Sequence, residues 1–119
     1  MISKKLFFLE CNLAGVLYHD LDEVFEELKV GTELSLVRDK DNAYDKNAVA
    51  VVYCKHHEEA QSDEEFLIGY IPRRENETLA QLLEMGWSKI FKCTICRIDP
   101  EAHYEQQIHL KVSILRNEE

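Results

Sequence analysis

The stretch "RDKDNAYDKNAVAVV", Arg38 to Val52, decides how this 119-residue chain is read. It sets three aspartates, two asparagines and one tyrosine between two apolar runs. Before it, "TELSLVR" (residues 32–38) alternates apolar and polar side chains. After it, Val49, Val51 and Tyr53 continue the alternation. A period of two puts every second side chain on one face of a strand, so the stretch is a loop joining two strands. Asp and Asn side chains bond neighbouring backbone amides readily. Asp39, Asn42 and Asn47 are accordingly assigned to building this turn, with Arg38 at its entry. Tyr44 and Asp45 fit that role less easily, because an aromatic beside a carboxylate is more than a turn demands.

Working outward, Phe7, Leu9, Cys11 and Leu13 recur every second residue and predict a first strand over 6–14. In "HDLDEVFEELKVG", Leu21, Val24, Phe25 and Leu28 fall at helical spacing. Asp20 and Glu23 are placed to cap the start, and Gly31 to end it. "FLIGYIP" reads as a strand closed by Pro72. "ENETLAQLLEMG" reads as a second helix with Leu79, Leu82 and Leu83 inside and Gly86 as its stop. Residues 88–98 and 107–115 supply the last two strands. "HHEEAQSDEE" (residues 56–65) has no apolar period, which predicts a flexible acidic insertion at 56–65 within a hairpin. Six short strands and two short helices without a βαβ rhythm predict a single mainly β domain over 1–119, a small antiparallel barrel with helices over its ends or gap.

Composition narrows function. The formal net charge of −9 argues against a nonspecific nucleic-acid coat, since phosphate binding is driven by Lys and Arg displacing counterions. The charge is uneven, however. Without Glu58, Glu59, Asp63, Glu64, Glu65, Glu118 and Glu119, 16 acids face 14 bases, a balance of −2. A local basic patch is compatible with that body. No run approaches a membrane span. Lys4 and Lys5 before Leu6-Phe7-Phe8-Leu9 imitate a signal peptide, but Glu10 and Asn12 interrupt the apolar run. A cytoplasmic location and reduced Cys11, Cys54, Cys93 and Cys96 are expected.

Chemical sites are poorly supported. Counting from Asp39, an EF-hand needs an oxygen ligand at its fifth position, Gly at its sixth and Glu at its twelfth, where this loop supplies Ala43, Tyr44 and Ala50. Cys93 and Cys96 within one strand diverge, so a zinc site with Cys54, His56 and His57 is not expected. No glycine-rich phosphate loop and no nucleophile motif are present. The chain is expected to be no enzyme and to need no metal or cofactor.

"LSLVRDKDNAYDKNAVAVV" (Leu34 to Val52), with "AGVLYH" (Ala14 to His19) before it and "IGYIPR" (Ile68 to Arg73) after it, resembles the HIRAN domain. That family occurs in certain SWI/SNF-type remodelling ATPases and as short standalone bacterial proteins. The resemblance implies a six-stranded, OB-like β-barrel with two helices, a DNA-repair setting and a pocket for the 3′-hydroxyl end of single-stranded DNA. It implies that Tyr18 and Tyr44 stack on terminal bases and that Asp45 receives the hydroxyl. Tyr70 and Arg73 would lie beside the strand's backbone, with phosphate contacts from amides near Tyr18 and His19. Leu17 and His19 depart from the DNA-binding members, where an arginine and a second aromatic can stand, and Tyr104 is a loose match for a further aromatic. The partners implied are single-stranded DNA or DNA 3′ ends and a helicase or nuclease chain that acts on them. The competing reading is a HIRAN-fold protein-interaction module without DNA binding, using the acidic first helix and residues 58–65.

Overall fold

The computed structural model describes residues 5–16, 20–57, 59 and 61–116, without the side chain of His57. Strands β1 (Lys5–Asn12), β2 (Glu33–Arg38), β3 (Val49–His57), β4 (Ser62–Tyr70), β5 (Phe91–Ile98) and β6 (Ile108–Leu115) are joined by two short helices, α1 (Leu21–Val24) and α2 (Glu77–Glu84). They form one antiparallel sheet in the order β1-β6-β5-β2-β3-β4. The mainly β architecture expected from the alternating patterns is met, and the OB-like fold that the resemblance implies roughly fits it. The sheet is not a closed barrel, because β1 and β4 remain its two edges.

Those edges meet at one point. The chain leaves the β1–β6 ladder after Asn12, and Ala14 forms a bridge to Tyr70 through both backbone groups, N–H to O at 2.9 Å and O to N–H at 2.8 Å. The approach is close enough to require glycine alongside: a Cβ on Gly69 would lie 2.6 Å from the Ala14 carbonyl oxygen and 2.7 Å from Leu13. The first strand is therefore shorter than 6–14: Leu13 N–H still reaches Ile108 O of β6 at 2.9 Å, and Ala14 turns away to make this seam.

Inside the curled sheet, Leu13, Val49, Ile68, Ile95, Ile108 and Leu110 lose nearly all contact with solvent. Each such side chain contributes about 1.5–3 kcal/mol of transfer free energy. α1 adds Leu21 and Val24 to this core, and α2 adds Leu79 and Ala80. Leu82 and Leu83, expected on the inner face, are half-buried.

Both helices are shorter than their apolar spacing predicts. α1 gives way after one turn to a 3-10 turn (Phe25–Glu27), and the Asp20 side chain makes no cap bond. Asp22 with Glu26 and Glu23 with Glu27 are like charges one helical turn apart, which disfavours continuing the α-helix. Gly31 does adopt a left-handed φ of +95°, but it opens β2, its N–H bonding Ile95 O at 2.7 Å, instead of capping a helix. α2 ends as expected. Trp87 N–H reaches Leu82 O and Gly86 N–H reaches Leu83 O, both at 3.0 Å, with Gly86 at φ +94°, which is the glycine-terminated Schellman pattern.

Residues 56–65, expected as a flexible acidic insertion, are largely the paired tip of the β3–β4 hairpin. The register sets Lys55 opposite Glu64, His56 opposite Asp63 and His57 opposite Ser62. His56 Nδ1 lies 2.7 Å from Asp63 Oδ1, and Lys55 pairs with Glu27 at 2.9 Å. Cross-strand pairs of opposite sign support such a ladder without an apolar face, so no alternation of hydropathy marks it. Similarly, residues 88–90 are a 3-10 turn and not the start of β5.

Candidate nucleic-acid interface

Residues 39–48 connect β2 to β3 and satisfy most of their polar groups from within. Asp39 N–H donates to Ala48 O at 3.0 Å and closes the neck of the loop. Arg38, the last residue of β2, donates to the carbonyls of Ala48 at 3.0 Å, Asp39 at 3.3 Å and Lys46. Asn42 Oδ1 accepts the N–H groups of Tyr44 at 2.9 Å and Asp45 at 3.0 Å, and its Nδ2 donates to Asp39 Oδ2 at 3.3 Å. Asn47 takes part through its backbone: its N–H donates to Asp45 Oδ1 at 2.9 Å. These are the side-chain-to-amide bonds for which Asp and Asn suit turns.

The second helix grips this loop at two points. At one end, Asn76 Nδ2 donates to Asp45 Oδ2 at 2.8 Å, with Asn76 only 1% exposed. At the other, Glu84 lies 3.3 Å from both Arg38 Nε and Lys40 Nζ. Sequence reasoning missed both grips. An asparagine before "ETL" signals a helix cap, and nothing local says that its amide turns toward a loop 31 residues earlier.

Tightly bonded underneath, the loop leaves the Tyr44 ring 89% exposed. Tyr44 and Asp45 form one wall of an open groove of about 850 Å³, whose other lining includes Ala14, Gly15, Tyr70 and Arg73. That volume lies within the range of small-ligand sites. Tyr70 Oη donates to Asp39 Oδ2 at 2.7 Å. Burial first, and then the Asp39 carboxylate beside it, push the Tyr70 hydroxyl's pKa upward. Arg73 stands on a 3-10 turn (Arg73–Glu75) behind Pro72, and its guanidinium makes no ion pair among the described residues.

The groove thus brings together Tyr44, Asp45, Tyr70 and Arg73, with Asn42 on its lining and Arg38, Asp39 and Asn47 in the supporting loop. Tyr18 and His19, like Leu17, lie outside the described residues. Tyr104 packs on His103, ring centroids 4.0 Å apart, and is not among the groove's lining residues. No group of three or more His, Cys, Asp or Glu disposed to hold a metal occurs among the described residues. Cys93 is buried with Ile95 in the core, while Cys96, directly after Ile95, is only partly buried. Burial, above all, pushes the Cys93 and Cys11 thiols up to about 12, which makes them poor metal ligands and poor nucleophiles near neutrality.

A family model described as the HIRAN domain matches residues 6–114. This chain belongs to the HIRAN domain family. The match spans every strand of the sheet, so this HIRAN domain carries the family's pattern across its whole fold. Among solved structures, a protein from Lactobacillus plantarum superimposes with a TM-score of 0.72 at 24% identity, covering 95% of this chain and 97% of that one. The HIRAN domain of human HLTF gives a TM-score of 0.58 at 16% identity, covering 93% of this chain and 78% of the other. At these identities the likeness establishes the shared fold. No curated protein matches the sequence. Among the described residues of this HIRAN domain, no helix is long and apolar enough to cross a membrane.

Proposed function

We propose that this HIRAN domain binds single-stranded DNA at a 3′-hydroxyl end, in the groove between the Arg38–Ala48 loop and the Ala14–Tyr70 seam. The observation that carries the reading is the pairing, on one wall, of a solvent-facing tyrosine ring with a carboxylate that still has room to accept a proton donor. Tyr44 offers an aromatic face to a base, and such stacking contributes about 1–3 kcal/mol per base whatever the sequence. Asp45 Oδ1 and Oδ2 each hold one internal donor. A carboxylate has about four acceptor sites, so two remain. A terminal hydroxyl can donate to one of them, whereas a phosphate in that place sets anion against anion.

Arg73 supplies a cation for a backbone phosphate, and Tyr70 offers its ring while its hydroxyl stays bonded to Asp39. Tyr18 and His19 complete the proposed contacts, through stacking and backbone amides. The domain recognises an end and leaves its processing to a helicase or nuclease chain in the cytoplasm. It acts without a metal or cofactor. Fluorescence anisotropy with a short strand ending in 3′-hydroxyl, repeated with the same strand ending in 3′-phosphate, tests the proposal. Preference for the hydroxyl, lost in Asp45→Ala with the fold intact, is the expected result. Equal or absent binding to both strands would remove the end-reading function and favour a protein partner.

A further inference from the structure

We propose that Asn76 is a positioning residue that makes Asp45 selective for a terminal hydroxyl, an inference that rests on the end-reading function above. Asn76 stands where α2 begins, a position at which an asparagine side chain ordinarily accepts the N–H groups of the first turn. Here it makes no such bond. Its carbonyl accepts Ala80 N–H at 2.8 Å, and its amide turns inward to donate to Asp45 Oδ2 at 2.8 Å. The helix forgoes its side-chain cap, and the loop carboxylate gains a buried partner.

The chemistry of that partner matters as much as its position. With Oδ1 held by Asn47 N–H and Oδ2 by Asn76, the carboxylate is tied from two directions and cannot turn about its Cβ–Cγ bond without breaking one of them. Both donors are neutral amides. A lysine or arginine in the place of Asn76 would hold the carboxylate as firmly, but would cancel the negative charge that rejects a terminal phosphate. A neutral clamp fixes the direction of the free lone pairs and keeps the charge. The same helix steadies the far side of the loop through Glu84 with Arg38 and Lys40, so α2 sets the carboxylate against a rigid frame.

The test measures the ratio of affinities for 3′-hydroxyl and 3′-phosphate strands in the wild type, Asn76→Ala, Asn76→Asp and Asp45→Ala, using the whole chain. Asn76→Ala is expected to reduce the ratio by about tenfold, the equivalent of one charge-assisted hydrogen bond. Its affinity for the 3′-phosphate strand should not fall. Combining it with Asp45→Ala should reduce the ratio no further than Asp45→Ala alone. Asn76→Asp, which keeps the side chain's shape but faces a carboxylate with another, should also lose the preference. A wild type that prefers the hydroxyl, alongside Asn76 variants that keep that preference, overturns the role of Asn76 alone. A wild type with no preference overturns end reading and this inference together. Should Asn76→Ala fail to fold, the wild-type side-chain amide resonances of Asn76 decide. They are expected to shift with the 3′-hydroxyl strand, and unmoved resonances at saturation overturn the proposal.

Discussion

Tyr70 Oη donates a 2.7 Å hydrogen bond to Asp39 Oδ2, joining the end of β4 to the first residue of a loop 31 positions earlier. The hydroxyl is therefore committed within the protein, and what Tyr70 presents to the groove is its ring. Tyr70→Phe keeps the ring and leaves Asp39 Oδ2 with Asn42 alone. The expected outcome is a loss of about 1–2 kcal/mol of stability in urea unfolding, with strand affinity changed less than threefold. A large loss of affinity without a loss of stability would mean that the hydroxyl meets the ligand.

Tyr44 reverses that pattern. Its ring is 89% exposed, so Tyr44→Ala should alter stability by no more than about 0.5 kcal/mol. Binding should weaken by the worth of one stacked base, about 1–3 kcal/mol. Anisotropy titrations beside thermal unfolding separate the two effects.

Arg73→Ala should reduce affinity modestly and lower the slope of log K against log salt by about 0.7 to 1, one phosphate contact on a single strand. The slope is measured by titrations at several salt concentrations. An unchanged slope would place the Arg73 guanidinium away from phosphate.

Alkaline pH should destabilise the fold. Cys11 and Cys93 hold their protons up to about 12 when folded, and Tyr70 is raised as well, while unfolded thiols ionise near 8.5–9. Above about pH 9 the unfolded chain thus binds fewer protons than the folded one, and stability falls as pH rises toward 12. Each thiol adds up to about 1.4 kcal/mol per pH unit in that window. The urea midpoint followed from pH 8 to 11 should decline, and decline less steeply in Cys11→Ala. Equal slopes in the two proteins would contradict the assignment.

The parts of this molecule visible in its sequence are those built on short-range regularities. Alternation at Ile108, Leu110 and Val112 announced β6 correctly, and Gly86 announced the end of α2. The Asp-Asn string announced a turn whose Asn42 does hold two amides. Resemblance pointed to Tyr44, Asp45, Tyr70 and Arg73, which prove to line one groove. What escaped depends on partners distant along the chain. The strand at 62–65 is supported by charges on the opposite strand, not by an apolar face of its own. The shortness of α1 reflects repulsion between acids that apolar spacing ignores. Asn76 is a cap by local grammar and a clamp in three dimensions.

The Ala14–Tyr70 bridge also bears on when this domain becomes competent. Its hairpins and ladders can pair one by one, but the groove has a floor only after residues 56 positions apart have met, and contacts that distant form slowly because a long stretch of chain must first be ordered. The groove and the completed topology arrive together. On the proposed function, a nascent or partly unravelled copy, however much strand it has formed, has no groove for a strand end to enter, and ligand capture would then count the molecules that have finished folding.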